Sequence, residues 1–174
     1  GKALYMDCDM YMRTDVSDLF DLCSLDYYPL WCVHHKYEPE TGSKMDNKVQ
    51  ESYRRKNWSS LIMFNCAHAA HKNLSLDDVN TRAGRWLHGF EWLPDKEADI
   101  GAIPEEWNWL DGHSPEKLEA KNVHFTTGGP WFENWQCRGK VDAKYAVEWT
   151  NDARWLQANG MVDGEVDYLI RAKD

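Results

Sequence analysis

Apolar residues occur along the chain in short runs bounded by polar turns, a pattern typical of a domain built from strands and short helices. These runs predict strands over residues 3–6, 30–33, 60–65 and 122–125. The first run, Ala-Leu-Tyr-Met, is apolar throughout and ends at Asp7, which is the pattern of a buried central strand followed by a loop. The last run leads directly into a Thr-Thr-Gly-Gly-Pro-Trp turn.

Apolar residues at helical spacing predict three helices, over residues 16–23, 75–88 and 143–159. Either Thr14 or Asp15 is placed to cap the first helix. Ser75 and Asp78 form a capping-box pattern at the start of the second, and Gly89 marks its end. The residues predicted to pack these helices are Leu76, Val79, Ala83 and Trp86 in the second and Tyr145, Trp149 and Trp155 in the third.

The chain shows no internal repeat and no low-complexity linker, so residues 1–174 are expected to form a single domain. Strands separated by helices and long loops predict an α/β fold. Ten Trp, eight Tyr and five Phe are far more aromatic residues than a disordered acidic chain contains. The net charge of −9 argues against a general nucleic-acid binder, which needs a basic face.

The cysteines and the apolar runs indicate a compartment. Five cysteines without a Cys-x-x-Cys spacing favour reduced, buried thiols over disulfides or a cysteine zinc site. The longest clean apolar run covers residues 61–64, far short of the roughly 20 residues that span a bilayer. The sequence opens on a strand pattern rather than on a signal peptide. We therefore expect a cytoplasmic protein without a transmembrane segment.

The residues with the clearest chemistry are Asp7 and Asp9, which directly follow the first strand. Two carboxylates at this spacing can bind one hard cation, although the same pattern also occurs in solvated acidic loops. His124 ends another short strand and precedes a glycine-rich turn whose backbone N–H groups can approach an anion. Together these residues predict a site for a metal ion that bridges two phosphates.

Four motifs occur in the order LYMDCDM, KNWSSLIMFNC, IGAIPEEWNWL and VHFTTGGPW. In this order they resemble the nucleotide-sugar-dependent glycosyltransferases of the GT-A type, most closely the glycogenin-like and lipopolysaccharide sugar-transferase group. The resemblance covers residues 3–132 and leaves 140–174 as a C-terminal helical extension. It implies a mixed sheet flanked by helices that corresponds to the C-terminal portion of the full fold. In that family a nucleotide-binding half precedes the Asp-x-Asp strand, so the sequence is expected to be a fragment or a minimal version.

The resemblance also implies an activity. A hexosyltransferase of this type moves a sugar from a nucleotide-diphosphate donor to a hydroxyl acceptor (a glycan, a lipid-linked sugar or a protein), with retention at the anomeric carbon. Asp7, Asp9 and His124 would bind Mn²⁺ or Mg²⁺, and Asp95 would be a catalytic acidic residue beside the sugar. The residues implied to bind the donor are Ser59, Ser60, Asn65, Gly128, Gly129 and Trp131.

One departure from the family pattern concerns the diphosphate. Many relatives have Lys immediately before the Pro-Trp of the last motif, where this chain has Gly129. The residues that offer a substitute positive charge are Lys121, Arg54, Arg55 and Lys56.

Two other functions remain open. A phosphohydrolase of the haloacid-dehalogenase type also begins with an apolar strand and Asp-x-Asp, but Tyr11 stands where such enzymes have Thr or Val. A non-catalytic carbohydrate-binding domain would account for the many tryptophans, of which Trp107 and Trp131 are the best placed to touch a sugar, yet most are expected in the core. His34 and His35 are adjacent on a strand, so their side chains point to opposite faces and are not expected to share an ion.

Overall fold

The structure is a computed structural model that describes residues 1–24, 27–36, 55–95, 99–126, 128–132 and 143–162. It confirms the predicted α/β class, with two small sheets and helices around them. The strands are β1 (Lys2–Met6), β2 (Met10–Met12), β3 (Leu30–Val33), β4 (Leu61–Asn65), β5 (Ile100–Ile103), β6 (Trp109–Leu110) and β7 (Asn122–His124). The α-helices are α1 (Ser17–Leu22), α2 (Leu76–Thr81), α3 (Gly84–His88) and α4 (Ala143–Ala158), and 3₁₀ turns cover Trp58–Ser60, Ala69–Asn73 and Glu105–Asn108.

The first sheet contains four strands in the order β1-β4-β3-β5 and is mixed, because β3 is antiparallel to β4 and parallel to β5. The strand before Asp7 lies at an edge of the described sheet, so its prediction as a buried central strand is wrong. Within β1, Ala3 and Tyr5 are exposed, whereas Leu4 and Met6 pack against the core. An edge strand packs one face only, and the apolar residues on its other face remain in solvent.

The second sheet contains three strands in the order β2-β7-β6. β2 is antiparallel to β7 with Met10 opposite His124, and β6 is parallel to β7 with Leu110 opposite His124. Because β1 belongs to the first sheet and β2 to the second, the tripeptide Asp7-Cys8-Asp9 carries the chain from one sheet to the other. The sequence pattern did not predict β2, β5 or β6, which are short.

The predicted helix over 75–88 is two short helices, α2 and α3. Its capping box is confirmed, since Ser75 and Asp78 exchange side-chain and backbone hydrogen bonds of 3.1 Å. The helix breaks at Arg82, whose backbone is extended and whose guanidinium binds Asp78 at 2.9 Å. Leu76 and Val79 are 77% and 48% exposed, so the predicted apolar stripe buries nothing there that would favour one continuous helix.

The other two predicted helices are present. α1 buries Leu19, and the carboxylate of Asp15 accepts a 2.8 Å hydrogen bond from the backbone N–H of Ser17, so Asp15 rather than Thr14 serves its first turn. α4 buries Tyr145, but Trp155 is 58% exposed and is not a packing residue. Residues 140–142 and 163–174 of the predicted extension lie outside the described part. No helix in the described part has the length and apolarity needed to cross a membrane.

The tryptophans mainly build the core. Trp107 is 1% exposed and packs in the cluster between the first sheet and α1, so the described conformation does not offer it to a ligand. Four of the tryptophans are almost completely buried, namely Trp31, Trp92, Trp107 and Trp109. The abundance of Trp therefore reflects packing more than ligand binding.

The cysteines divide between core and surface. Cys23 and Cys32 are free and buried, and burial raises the pKa of the Cys23 thiol to about 11 and that of Cys32 further. Cys8 and Cys66 are free but exposed, so the prediction of buried thiols holds for only part of the set. Cys137 lies outside the described residues.

Arg13 fastens α4 to the second sheet. Its guanidinium binds Glu148 at 2.6 Å and Glu119 at 3.0 Å, donates to the carbonyl of Ala120, and lies 4.6 Å from the ring centre of Tyr145. Its side chain is 16% exposed, so water competes little for these bonds. We expect Arg13→Ala to lower the free energy of unfolding by about 2 kcal/mol, the range for hydrogen bonds that involve charged groups. Urea denaturation monitored by circular dichroism measures this loss.

Arg82→Ala is the matched control, because it removes a guanidinium–carboxylate pair whose arginine side chain is 55% exposed. We expect it to change stability by less than about 1 kcal/mol. Equal losses in the two variants would contradict the anchoring role of Arg13.

Candidate metal centre

Asp7, Asp9 and His124 converge at the junction between the two sheets. Asp7 directly follows β1, Asp9 directly precedes β2, and His124 is the last residue of β7. One ligand atom from each of them lies within 4.8 Å of the other two. His124 Nε2 and Asp9 Oδ1 lie 3.4 Å apart. The predicted grouping of these three side chains is therefore present in the structure.

Backbone hydrogen bonds hold the three residues in this arrangement. The N–H of Asp7 donates to the carbonyl of Ser60 at 2.8 Å, which fixes the end of β1 against the start of β4. The N–H of Phe125 donates to the carbonyl of Asp9 at 3.0 Å, which extends the β2–β7 pairing past His124. Each candidate ligand thus lies on or beside a strand rather than on a free loop, so its position is set by the sheets.

The donor set fits a hard divalent cation. Two carboxylates and one imidazole offer oxygen ligands with a single nitrogen, a set that suits Mn²⁺ or Mg²⁺ better than a site rich in sulfur would. Within the described ranges, this is the one group of three or more His, Cys, Asp or Glu side chains with this geometry. Asp7 and Asp9 are half-buried, and His124 is 4% exposed, so the cluster faces solvent from its carboxylate side.

A cavity of about 650 Å³ opens beside the two carboxylates. Its described lining consists of Tyr5, Met6, Asp7, Cys8, Asp9, Phe125, Gly128, Trp131 and Phe132. The hydroxyl of Tyr5 donates to Asp7 at 2.9 Å, and this hydrogen bond, together with partial burial, raises the pKa of Tyr5. The cavity therefore combines an acidic end with an aromatic wall.

The glycine-rich turn after β7 forms part of this wall. Gly128 has a φ of 104°, a backbone conformation that favours glycine. A Cβ at Gly129 would overlap the six-membered ring of Trp131, so the indole lies directly against the backbone there. Trp131 also packs edge-to-face on Phe125, with ring centres 5.5 Å apart. A larger side chain at 129, where many relatives of the resembled family have Lys, would have to displace the indole of Trp131.

Behind His124 lies a chain of buried polar groups that the sequence analysis missed. His124 Nδ1 is 3.1 Å from Asn108 Oδ1, and Asn108 Nδ2 donates to Ser60 Oγ at 2.9 Å. Ser60 Oγ in turn donates to the carbonyl of Asn57 at 2.6 Å. Asn108 is fully buried and Ser60 is 4% exposed. Asn108 belongs to the IGAIPEEWNWL motif, and a polar residue between two tryptophans was the available signal.

Ser59, Ser60 and Asn65, which were also predicted for donor binding, are not among the described residues that line the cavity beside the carboxylates. Ser59 Oγ is 2.7 Å from His88 Nδ1, and Ser60 is committed to the buried chain just described. Asn65 is buried at the far end of β4, opposite Lys2 in the register. That position is four residues along the strand from the β1 end near Asp7, or about 13 Å at 3.3 Å per residue. The structure therefore does not bring Asn65 to the candidate metal centre.

Asp95 lines a different cavity. This second cavity, of about 520 Å³, is bordered by His68, Ala69, Ala70, Asn73, Pro94, Asp95 and Asp99. None of these residues lines the cavity beside Asp7 and Asp9. The catalytic role assigned to Asp95 by resemblance stays a prediction.

The described residues that were predicted to supply a substitute positive charge, and the adjacent pair His34 and His35, contact other parts of the fold. Arg55 is 7% exposed and donates to the carbonyl of Gly89 at 2.5 Å, so it does not offer its charge to a diphosphate. Lys121 Nζ lies 5.1 Å from the ring centre of Trp107. His34 stacks on Trp58 with ring centres 4.1 Å apart. His35 is buried, which lowers its pKa to about 3 and keeps it neutral.

The chain is similar to a plant protein in sequence and, more distantly, to a glycosyltransferase in structure. No family model matches the sequence. "Protein CDI" of Arabidopsis thaliana is 45% identical over 157 residues, which is 87% of this chain and 58% of the relative, so the chain spans less than two thirds of its length. The apo structure of the WbbM bifunctional glycosyltransferase matches with a TM-score of 0.47 at 16% identity, over 87% of this chain and 32% of that one.

Proposed function

We propose that the protein is a metal-dependent glycosyltransferase of GT-A-like fold that moves a sugar from a nucleotide-diphosphate donor to a hydroxyl acceptor, with retention. The observation that carries this proposal is the convergence of Asp7, Asp9 and His124, from two different sheets, beside a cavity lined by Gly128 and by aromatic rings. An isolated Asp-x-Asp occurs in many solvated acidic loops. A buried imidazole beside the two carboxylates is not expected in such a loop, because burying a polar group costs free energy.

Different residues around the cavity would bind different parts of the donor. Asp7, Asp9 and His124 would hold Mn²⁺ or Mg²⁺. A divalent cation there supplies Lewis-acid stabilisation of the charge that develops on the departing nucleotide diphosphate. The backbone at Gly128 borders the cavity and would lie against the diphosphate, whereas Gly129 is covered by the ring of Trp131, which offers an aromatic surface to the donor.

The absence of a lysine at 129 has a consequence in this proposal. In a chain with a net charge of −9, two carboxylates at the mouth of the cavity repel a diphosphate. No Lys or Arg is among the described residues that line the cavity, so the cation would supply the attraction that Lys supplies in many relatives of the resembled family. Donor binding is expected to depend strictly on the metal.

The geometry favours this function over the two alternatives. A carbohydrate-binding domain needs exposed aromatic platforms, but most of the described tryptophans are buried or half-buried, and Trp155 is the exposed exception. A haloacid-dehalogenase-type enzyme needs a second acidic motif, and the third member of this cluster is His124 instead.

Calorimetry of Asp9→Ala tests the proposal. Titration of a nucleoside diphosphate into the wild-type chain is expected to show binding in Mn²⁺ and none in a chelator. In Asp9→Ala, affinity for Mn²⁺ should fall by more than about 100-fold, because loss of an outer-shell partner alone costs 10–100-fold. Circular dichroism should show an unchanged fold, since Asp9 is only half-buried.

Asp21→Ala is the matched control, because it removes the same charge from an exposed position on α1. It should bind Mn²⁺ and nucleotide like the wild type. Unchanged affinities in Asp9→Ala would overturn the assignment. If Asp9→Ala loses affinity as expected, the donor can be identified by measuring which nucleotide-sugars, in a panel with different bases and sugars, release nucleoside diphosphate in Mn²⁺.

A further inference from the structure

The buried polar chain behind His124 has a fixed direction. It begins at the backbone carbonyl of Asn57, which can only accept hydrogen bonds. Asn57 has a φ of 64°, a left-handed backbone conformation that turns this carbonyl toward both Ser60 and Asn108. The distances are 2.6 Å from Ser60 Oγ and 3.3 Å from Asn108 Nδ2.

Each group in turn determines the role of the next. Ser60 Oγ uses its single proton toward the carbonyl of Asn57, so toward Asn108 it can only accept. The amide NH₂ of Asn108 therefore faces Ser60, and its Oδ1 faces His124. Because Oδ1 only accepts, the proton of the neutral imidazole has to lie on Nδ1. His124 Nε2 is left with its lone pair on the side of Asp9.

We propose that Asn108, supported by Ser60, is a positioning residue that selects the Nδ1–H tautomer of His124 and so leaves Nε2 free to bind a cation. The part of this inference that concerns the cation rests on the proposed function. The part that concerns the tautomer does not, because it follows from hydrogen bonds present in the protein alone.

The burial of Asn108 and His124 indicates that their hydrogen bond is a fixed part of the structure. Asn108 is fully buried, and the imidazole is 4% exposed, so water does not offer a replacement partner for Nδ1. For the amide of Asn108 to flip, its Nδ2 would have to lose its hydrogen bonds to both Ser60 Oγ and the carbonyl of Asn57. The tautomer is therefore set before any ion arrives, which lowers the reorganisation needed for binding.

Two substitutions separate positioning from packing. Asn108→Asp keeps an acceptor oxygen opposite Nδ1, and its second oxygen can accept the proton of the Ser60 hydroxyl, which then turns away from the carbonyl of Asn57. Asn108→Leu replaces the amide with an apolar group of similar size. Long-range ¹H–¹⁵N spectra of the metal-free protein report which nitrogen of His124 carries the proton. We expect the Nδ1–H form in the wild type and in Asn108→Asp, and a mixed or reversed tautomer in Asn108→Leu.

The second readout is the binding of Mn²⁺ alone, which is measured by the decrease in the electron paramagnetic resonance signal of the free ion. Affinity should fall about 10–100-fold in Asn108→Leu and stay within about threefold of the wild type in Asn108→Asp, as expected for a partner of a metal ligand. Ser60→Ala, which removes the support of the amide but not the acceptor, should lie between them.

The outcomes distinguish this inference from the proposed function. If Asn108→Leu keeps the wild-type tautomer and affinity, or if Asn108→Asp loses both while folded, the positioning role is wrong. If Asn108→Leu does not fold, the comparison of Asn108→Asp and Ser60→Ala with the wild type still decides. If the wild type itself does not bind Mn²⁺, the proposed function fails, and the tautomer spectra still test the role of Asn108.

Discussion

Replacing His124 with alanine is expected to abolish tight Mn²⁺ binding and also to destabilise the metal-free protein. The first effect follows because the imidazole is one of three candidate ligands, so affinity should fall by more than about 100-fold. The second follows because Asn108 loses its partner in a fully buried position. An unsatisfied buried polar group costs about 1–3 kcal/mol, which chemical denaturation in a chelator would measure.

Asp7→Asn is the comparison that separates the two effects. Asp7 is half-buried at the edge of the cavity and is not part of the buried polar chain. The variant should lose Mn²⁺ affinity as His124→Ala does, while its metal-free stability changes by less than about 1 kcal/mol. In the wild type, Mn²⁺ at 100 times its dissociation constant should add about 2.7 kcal/mol of stability, and in both variants almost none. Wild-type stabilisation by Mn²⁺ in His124→Ala would show that the imidazole is not a ligand.

Gly129→Lys is expected to weaken donor binding, although it restores the residue that relatives of the resembled family have. Any Cβ at this position overlaps the ring of Trp131, so the indole must move away from the cavity wall. Overpacking of this kind costs about 1–3 kcal/mol of stability. Loss of an aromatic contact worth about 0.5–1.5 kcal/mol should weaken nucleoside diphosphate binding in Mn²⁺ by up to roughly tenfold.

Gly101→Ala is the matched control, because its Cβ would overlap the indole of Trp31 in the core of the first sheet, away from the cavity. It should lose stability without weakening Mn²⁺-dependent nucleotide binding. Calorimetry and denaturation on both variants give the comparison. Tighter nucleotide binding by Gly129→Lys would show that the added charge outweighs the displaced indole, and would contradict the expected weakening.

The parts of the site that the sequence predicted are those with a local signature. Asp7 and Asp9 follow an apolar run, and His124 ends another, so each could be located one element at a time. Their convergence was not a local property. It was inferred from the strand-end positions of the three residues and from the resemblance to a family, because the pairing of β2 with β7 joins residues more than a hundred positions apart and leaves no local signal.

The features that the sequence analysis missed depend on tertiary contacts. An apolar strand looks the same at the centre and at the edge of a sheet until its neighbours are known, which is why β1 was misplaced. Arg55 was named as a substitute positive charge for the diphosphate, yet it is buried and bonded to the carbonyl of Gly89. Asn108 gave no periodic signal at all, since its function lies in a hydrogen-bond direction rather than in a spacing.

The passage of the chain between the sheets at Asp7-Cys8-Asp9 has a mechanical consequence. Asp7 is held by the first sheet, whereas Asp9 and His124 are held by the second. A cation bound by all three would act as a cross-link between two bodies that the backbone joins only through a short tripeptide at this point. The affinity of the site for the cation would then depend on how firmly the two sheets pack together. Any substitution that loosens this packing should also lower the affinity for the cation.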